Sequence, residues 1–216
     1  MDRESFIENA TKIKDAILKI GGSVTAFEIG EPTTGQQINH IQNLYQTDLP
    51  EDFIDFCTSV SGAVNISWSL FNSKGREINE GLHFVKKLCP IYSGAMNWNI
   101  ESYLSETERN IYSNPCNDPE LIGKLHLFDV PNGDMVMFDL SVKGSQKPVV
   151  YLKHDEICVP PLQLAPNFEL YIKNLLAVGL VGSEWDQIAY FIDQEKQCID
   201  PTLPSAQEWR QAIGLC

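Results

Sequence analysis

The sequence predicts an α+β fold with N-terminal helices, a central and largely antiparallel sheet, and C-terminal helices. Apolar residues recur with helical spacing over residues 4–20 and again from residue 167 onwards. Between these segments, apolar and polar residues alternate over 64–70, the pattern of a strand with one buried face. Pro131-Asn-Gly-Asp134 then separates two apolar runs, which predicts a tight hairpin and therefore antiparallel pairing.

Three helices are expected in the first sixty residues. The first covers residues 4–20, and a strand at 24–29 follows it. The second helix begins at Thr34-x-x-Gln37, which is the pattern of a capping box. The third lies within Leu49–Gly62, where Pro50 suits the first turn of a helix and the final glycine suits its end.

The middle of the chain is expected to form the sheet and the end to return to helix. Met135 to Phe138 is apolar on both faces, so its strand is expected at the centre of the sheet with both faces covered. Polar residues at 114–119 predict a loop. A helical stripe begins at Phe168, and further helices are expected after Ser183 and Pro204. The expected strands of the sheet are 64–70, 82–88, 90–98, 124–130, 135–140 and 149–152.

Composition favours a soluble protein whose partner is not a nucleic acid. The 216 residues carry a formal net charge of −13, which repels phosphate backbones and anionic lipid and would attract a basic partner. The alternative is that acidity only maintains solubility. The sequence contains no apolar run long enough to span a membrane. Its N-terminus is polar, and its six cysteines are scattered without a CxxC pair. We therefore expect a cytoplasmic protein with free thiols.

Motifs in two parts of the chain resemble the SUKH superfamily, which includes the Smi/Knr cell-wall-synthesis regulators and many bacterial immunity proteins. The first part is Leu49-Pro50 with Phe53, Phe56 and Gly62. The second resembles the family's Gly-Asp…Asp-Leu hairpin and the strand after it. Its matching residues are Asn132-Gly133-Asp134, Asp139-Leu140, Pro148-Val149-Val150-Tyr151 and His154-Asp155.

The resemblance implies a single α+β domain over residues 1–216, with a core match at about 34–180 and a helical extension at 181–216. It also implies a protein that is not an enzyme and that holds no cofactor or metal. Bacterial members bind and neutralise a toxin, often a nuclease, so a basic nuclease is the expected partner. The alternative is a regulatory scaffold in cell-wall or envelope synthesis. The oligomeric state is left open.

Candidate partner-binding residues are the acidic groups near strand ends, Asp134, Asp139, Asp155 and Glu156, because they could meet a basic protein. For Asp134 and Asp139 the competing interpretation is structural, since an Asp beside a turn often bonds the local backbone. Trp98, flanked by two asparagines, is the candidate aromatic contact at the surface. For this residue, too, a place in the core is the alternative.

Catalytic and metal-binding interpretations lack a complete set of residues. The sequence has no Gly-x-Ser-x-Gly, no phosphate-binding glycine loop and no His-Glu-x-x-His. His154 and Cys158 are spaced as two metal ligands could be, but no second pair accompanies them. Cys57 lies beside the apolar stripe of its helix and is expected to pack as a small hydrophobic residue.

Overall fold

The structure, a computed structural model, describes residues 1–70, 92–104, 123–154, 160–181 and 184–215. Within these ranges the chain forms six α-helices and nine strands. The helices are α1 (Arg3–Lys19), α2 (Gly35–Tyr45), α3 (Glu51–Ser59), α4 (Phe168–Ala177), α5 (Trp185–Ile188) and α6 (Pro204–Ile213). The strands are β1 (Ser23–Ile29), β2 (Ala63–Ser69), β3 (Ser93–Asn99), β4 (Lys124–Asp129), β5 (Met135–Asp139), β6 (Val149–Leu152), β7 (Leu162–Ala165), β8 (Ile192–Asp193) and β9 (Cys198–Ile199).

The strands form three antiparallel sheets, in agreement with the predicted α+β class. Their orders are β1-β2-β3, β4-β5-β6-β7 and β8-β9. Strand β5 pairs on both sides, as its apolar sequence predicts. Val136 and Phe138 face the main core, whereas Met137 packs with Val150 and Leu152 in a second buried cluster. Both faces of the central strand are therefore covered.

The helices begin where the chain supplies caps. Asp2 caps α1 through the N–H of Ser5, and Thr34 and Gln37 form the expected capping box of α2. Helix α4 has two acceptors at its start, since Asn167 accepts from Leu170 and the Asp52 carboxylate reaches across from α3 to the N–H of Glu169. This hydrogen bond joins the first turns of two helices that are distant in sequence.

Aromatic side chains from helices and sheet meet in one core. The Phe53 ring of α3 lies 5.0 Å from that of Phe138 and 4.9 Å from that of Phe168, centroid to centroid. Phe6 of α1 packs edge-on against Phe56. Such tilted and edge-to-face contacts add to the gain from apolar burial. The apolar stripe predicted for the third helix therefore anchors the core.

The C-terminal helix packs into the same buried cluster through Trp209. Its indole stacks on that of Trp68 at 5.9 Å between ring centroids, and each indole N–H donates to a main-chain carbonyl at the end of α4.

The expected strand at 82–88, the loop at 114–119 and Ser183 lie outside the described residues. Strand β7 has no counterpart among the predicted elements. A search of the described helices found none with the length and apolarity needed to cross a bilayer.

Candidate functional site

The β4–β5 hairpin places Asp134 at the end of the sheet, facing inward. The turn contains three residues, because Val130 and Asp134 still pair and Gly133 donates to the Val130 carbonyl. Within the turn only Gly133 takes a positive φ, at 96°. This is a type I turn followed by a glycine bulge, which suits Pro-Asn-Gly.

Asp134 is the buried centre of a polar cluster that reaches the surface, which we call the Asp134 network: Asn132, Asp134, Tyr151 and His154. One carboxylate oxygen accepts from the Tyr151 hydroxyl at 2.6 Å and the Asn132 amide at 2.9 Å. The other accepts from the main-chain N–H of His154 at 2.9 Å and lies 2.7 Å from its Nδ1. The Asp134 side chain is 3% exposed, whereas that of His154 is 49% exposed.

The environment keeps the Asp134 carboxylate ionised. Burial by itself would raise its pKa, but the hydrogen bonds from Tyr151 and His154 outweigh it, and the pKa lies below the ordinary value. The same contact acts in reverse on Tyr151, whose pKa is raised by burial and by its hydrogen bond to the carboxylate. Asp134 thus joins the hairpin to β6, as the structural interpretation predicts, and its burial removes it from the list of surface contacts.

The carboxylate of Asp139 is also bound by neighbouring groups of the chain. Its carboxylate lies 3.1 Å from the Lys124 ammonium and accepts from the Ser141 N–H at 3.0 Å. These hydrogen bonds outweigh burial and hold the pKa of Asp139 below its usual range. The residue therefore orders the turn that follows β5. It is 19% exposed at the side chain, which leaves it at most a minor contact residue.

Trp98 is a correction to the sequence-based expectation. It is 3% exposed and packs edge-on against Phe56 and Phe168, so the expectation of a surface tryptophan is wrong. The flanking residues Asn97 and Asn99 are exposed because neighbours along a strand point to opposite faces. Polar neighbours therefore predict a buried tryptophan here.

The remaining predicted residues divide between the core and the undescribed part of the chain. Cys57 is fully buried, and burial raises the pKa of its thiol, so it packs as expected. Asp155, Glu156 and Cys158 lie outside the described residues, which leaves their roles as predictions. Among the residues that the structure describes, no three His, Cys, Asp or Glu side chains converge as a metal site would require.

A surface cleft lies beside the Asp134 network. This cleft, here called the Trp185 cleft, has a volume of about 300 Å³. The cleft cannot be predicted from the sequence, because its walls come from four separate segments that only the fold brings together. A tryptophan between two acidic residues, Glu184 and Asp186, is the one weak signal in the sequence. The lining residues are Tyr151, Lys153, Pro160, Pro161, Leu162, Gln163, Trp185 and Gln197.

A second surface feature is acidic. Asp52 and Glu169, in the first turns of α3 and α4, and Asp55, one turn further along α3, line one depression of about 170 Å³ together with Met1. We call this the α3–α4 acidic surface. Asp55 and Glu169 are exposed, whereas Asp52 is half-buried and its pKa is raised by burial despite the N–H groups it accepts from. The surface therefore places carboxylates where a cationic side chain could approach.

The fold defines an α+β protein, and the Asp134 network joins its β4–β5 hairpin to β6. Comparison with protein families gives the particular group: the model of the SMI1 / KNR4 family (SUKH-1) matches residues 32–174, about two thirds of the chain. The protein therefore belongs to this family. The match runs from the start of α2 into α4 and includes the hairpin that bears Asp134. Neither the curated proteins nor the solved structures yielded a match.

Proposed function

We propose that this protein is a non-catalytic immunity protein that binds and neutralises a bacterial toxin, and that the toxin is a basic nuclease. Membership of the SUKH family supports the general class, because its bacterial members act by binding toxins. The net charge of −13 is the observation that carries the choice of partner. A nuclease needs cationic groups to hold phosphates, and an acidic protein is complementary to them.

The α3–α4 acidic surface is the described region best suited to this contact. A helix N-terminus carries a partial positive charge, but here Asp52 and Glu169 place carboxylates in the first turns of α3 and α4, and Asp55 adds a third beside them. Asp55 and Glu169 are the exposed members. They replace Asp134 and Asp139 as the acidic side chains that we assign to the partner.

The pKa shifts of Asp134 and Tyr151 suit a structural role for these two groups. The pKa of Asp134 is lowered and that of Tyr151 is raised, so neither group is matched to proton transfer near neutral pH. The thiol of Cys57 is buried and has a raised pKa, which makes it a poor nucleophile. These groups hold the fold together.

The test combines the purified protein with the toxin encoded beside its gene and measures association by surface plasmon resonance and inhibition by nuclease assay. We expect a stable complex whose association rate falls as salt is added. The double variant Asp55→Lys/Glu169→Lys should associate about ten-fold more slowly, with little change in dissociation rate. Asp55→Lys and Glu169→Lys are also measured singly, and Glu208→Lys, on the exposed face of α6, is the control that matches each single variant in its change of charge.

The outcomes separate the claims. If no complex forms with the adjacent toxin, the proposed function is rejected. If a complex forms but the double variant associates at the same rate as Glu208→Lys, the function stands and the α3–α4 acidic surface is rejected as its site.

A regulatory scaffold in cell-wall or envelope synthesis is the second candidate, because the matched family also contains such regulators. The same purified protein can be tested by affinity capture with extracts of the native cell. Recovery of envelope-synthesis enzymes, together with the absence of a toxin gene nearby, would favour the scaffold.

A further inference from the structure

We propose that the Trp185 cleft binds a short segment of a protein partner in which an apolar side chain stands next to a carboxylate. The inference rests on the proposed function only in that the occupant belongs to a protein partner. It does not depend on the partner's net charge or on the α3–α4 acidic surface. The argument uses the shape, rigidity and local charge of the cleft.

The cleft is lined largely by apolar side chains. Trp185 contributes a half-buried aromatic ring that packs 6.0 Å, centroid to centroid, from the buried ring of Tyr151, and Pro160, Pro161 and Leu162 also line the cleft. Prolines and aromatic rings present large contact areas and lose little conformational entropy when covered. A volume of about 300 Å³ accommodates one large apolar side chain with its neighbouring main chain.

The cleft is held in shape before anything binds. The Tyr151 hydroxyl is fixed by its 2.6 Å hydrogen bond to Asp134, so the Asp134 network supports one wall. On the far side, the Gln163 amide donates at 2.9 Å to the carbonyl of Gln197, which holds a positive φ of 47°. A preformed site avoids the cost of ordering on binding.

Lys153 gives the cleft its selectivity. It is the one cationic side chain among the described lining residues, and its ammonium lies 4.2 Å from the centre of the Trp185 ring. The ring face holds the charge near the wall through a cation–π contact. An ammonium has three donors, so it can bind a carboxylate while it keeps contacts it already has. Lys153 thus offers a charge-assisted contact to an anionic group in the cleft.

The test uses the free protein and three blocked tetrapeptides that differ at one position: acetyl-Gly-Phe-Asp-Gly-amide and its Asn and Lys counterparts. Binding is followed by ¹H–¹⁵N NMR, with the indole resonance of Trp185 assigned from a Trp185→Phe sample. We expect shifts at the Trp185 indole and at Gln163, with affinity in the order Asp, Asn, Lys. The Asp peptide should bind about three- to five-fold more tightly than the Asn peptide, as a partly exposed ion pair allows.

Substitutions assign the effect to the cleft. Lys153→Met keeps an apolar stem and removes the charge, so the Asp and Asn peptides should then bind equally. Lys173→Met, an exposed position on α4, removes the same charge elsewhere and should leave the preference intact. Trp185→Leu should abolish the shifts, and its thermal unfolding is compared with wild type to establish that the variant is folded.

The proposal is overturned if the Asp peptide at about 5 mM shifts no cleft resonance, since even weak sites for small ligands show at that concentration. It is also overturned if the Lys peptide binds most tightly, or if Lys153→Met leaves the preference unchanged. None of these results bears on toxin binding, which is measured separately with the complex. Failure of the proposed function and failure of the cleft proposal are thus distinguishable.

Discussion

Asp134 joins the β4–β5 hairpin to the end of β6 through Tyr151 and His154. Replacing it with alanine removes the acceptor of the buried Tyr151 hydroxyl and of the His154 N–H. We expect Asp134→Ala to lower the free energy of unfolding by about 3 kcal/mol, the usual cost of breaking a buried charged network. Urea denaturation measures the change. Asp129→Ala, at an exposed position of the same hairpin, should cost less than about 1 kcal/mol.

The contribution of Asp134 to the free energy of unfolding depends on pH in a definite direction. The pKa of Asp134 is lower in the folded protein than its ordinary value of 3.8. Its contribution is therefore fully present above that value and is lost as the pH falls through the folded pKa. The difference in unfolding free energy between wild type and Asp134→Asn should narrow from pH 7 to pH 3. A difference that stays constant over this range would show that the carboxylate is not stabilised as its contacts imply.

Residue-level prediction from the sequence succeeds where the physics is local. The turn around Gly133 and the structural interpretation of Asp134 follow from neighbouring residues alone. The partners of Asp134 do not, because Tyr151 and His154 are joined to it only by the pairing of β5 with β6. The expectation of a surface Trp98 fails because polar neighbours along a strand face the opposite way and do not indicate exposure.

Helix α6 is held at one side of the molecule by paired tryptophans. Trp209 is 1% exposed, stacks on Trp68 and donates to the Val178 carbonyl at 2.9 Å. We expect Trp209→Ala to lower the unfolding free energy by about 3–5 kcal/mol, as loss of a buried indole usually does. Differential scanning calorimetry checks this. Glu208→Ala on the same helix is exposed and should change stability by no more than about 0.5 kcal/mol; equal effects of the two variants would contradict the anchoring role.

Helices and strands are predicted well where caps and apolar periodicity mark them in the sequence. The first helix, the capping box and the strand at 149–152 agree with the structure to within a residue, because caps and periodicity mark them. Strand β7 was missed, since its four residues follow two prolines and are too few to show alternation. The Trp185 cleft could not be predicted, because it requires the relative positions of β6, β7, α5 and the β8–β9 turn.

Charge acts on the whole molecule in two opposite ways. A net charge of −13 makes the folded chain repel itself, and added salt screens that repulsion. We expect the unfolding free energy of the free protein to rise by about 0.5–1 kcal/mol between low and physiological ionic strength. The same salt should slow association with a basic partner. Denaturation in parallel salt series measures the first effect, and a fall in stability with added salt would contradict it.

The stack of Trp68 on Trp209 also constrains the order in which the molecule can form during translation. One face of the Trp68 indole stays uncovered until the residues of α6 have been synthesised and have left the ribosome, since Trp209 stacks on it. Nascent chains that lack this segment would expose an indole and parts of the core to chaperones. The last helix to emerge thus completes a core whose first strands were made more than a hundred residues earlier.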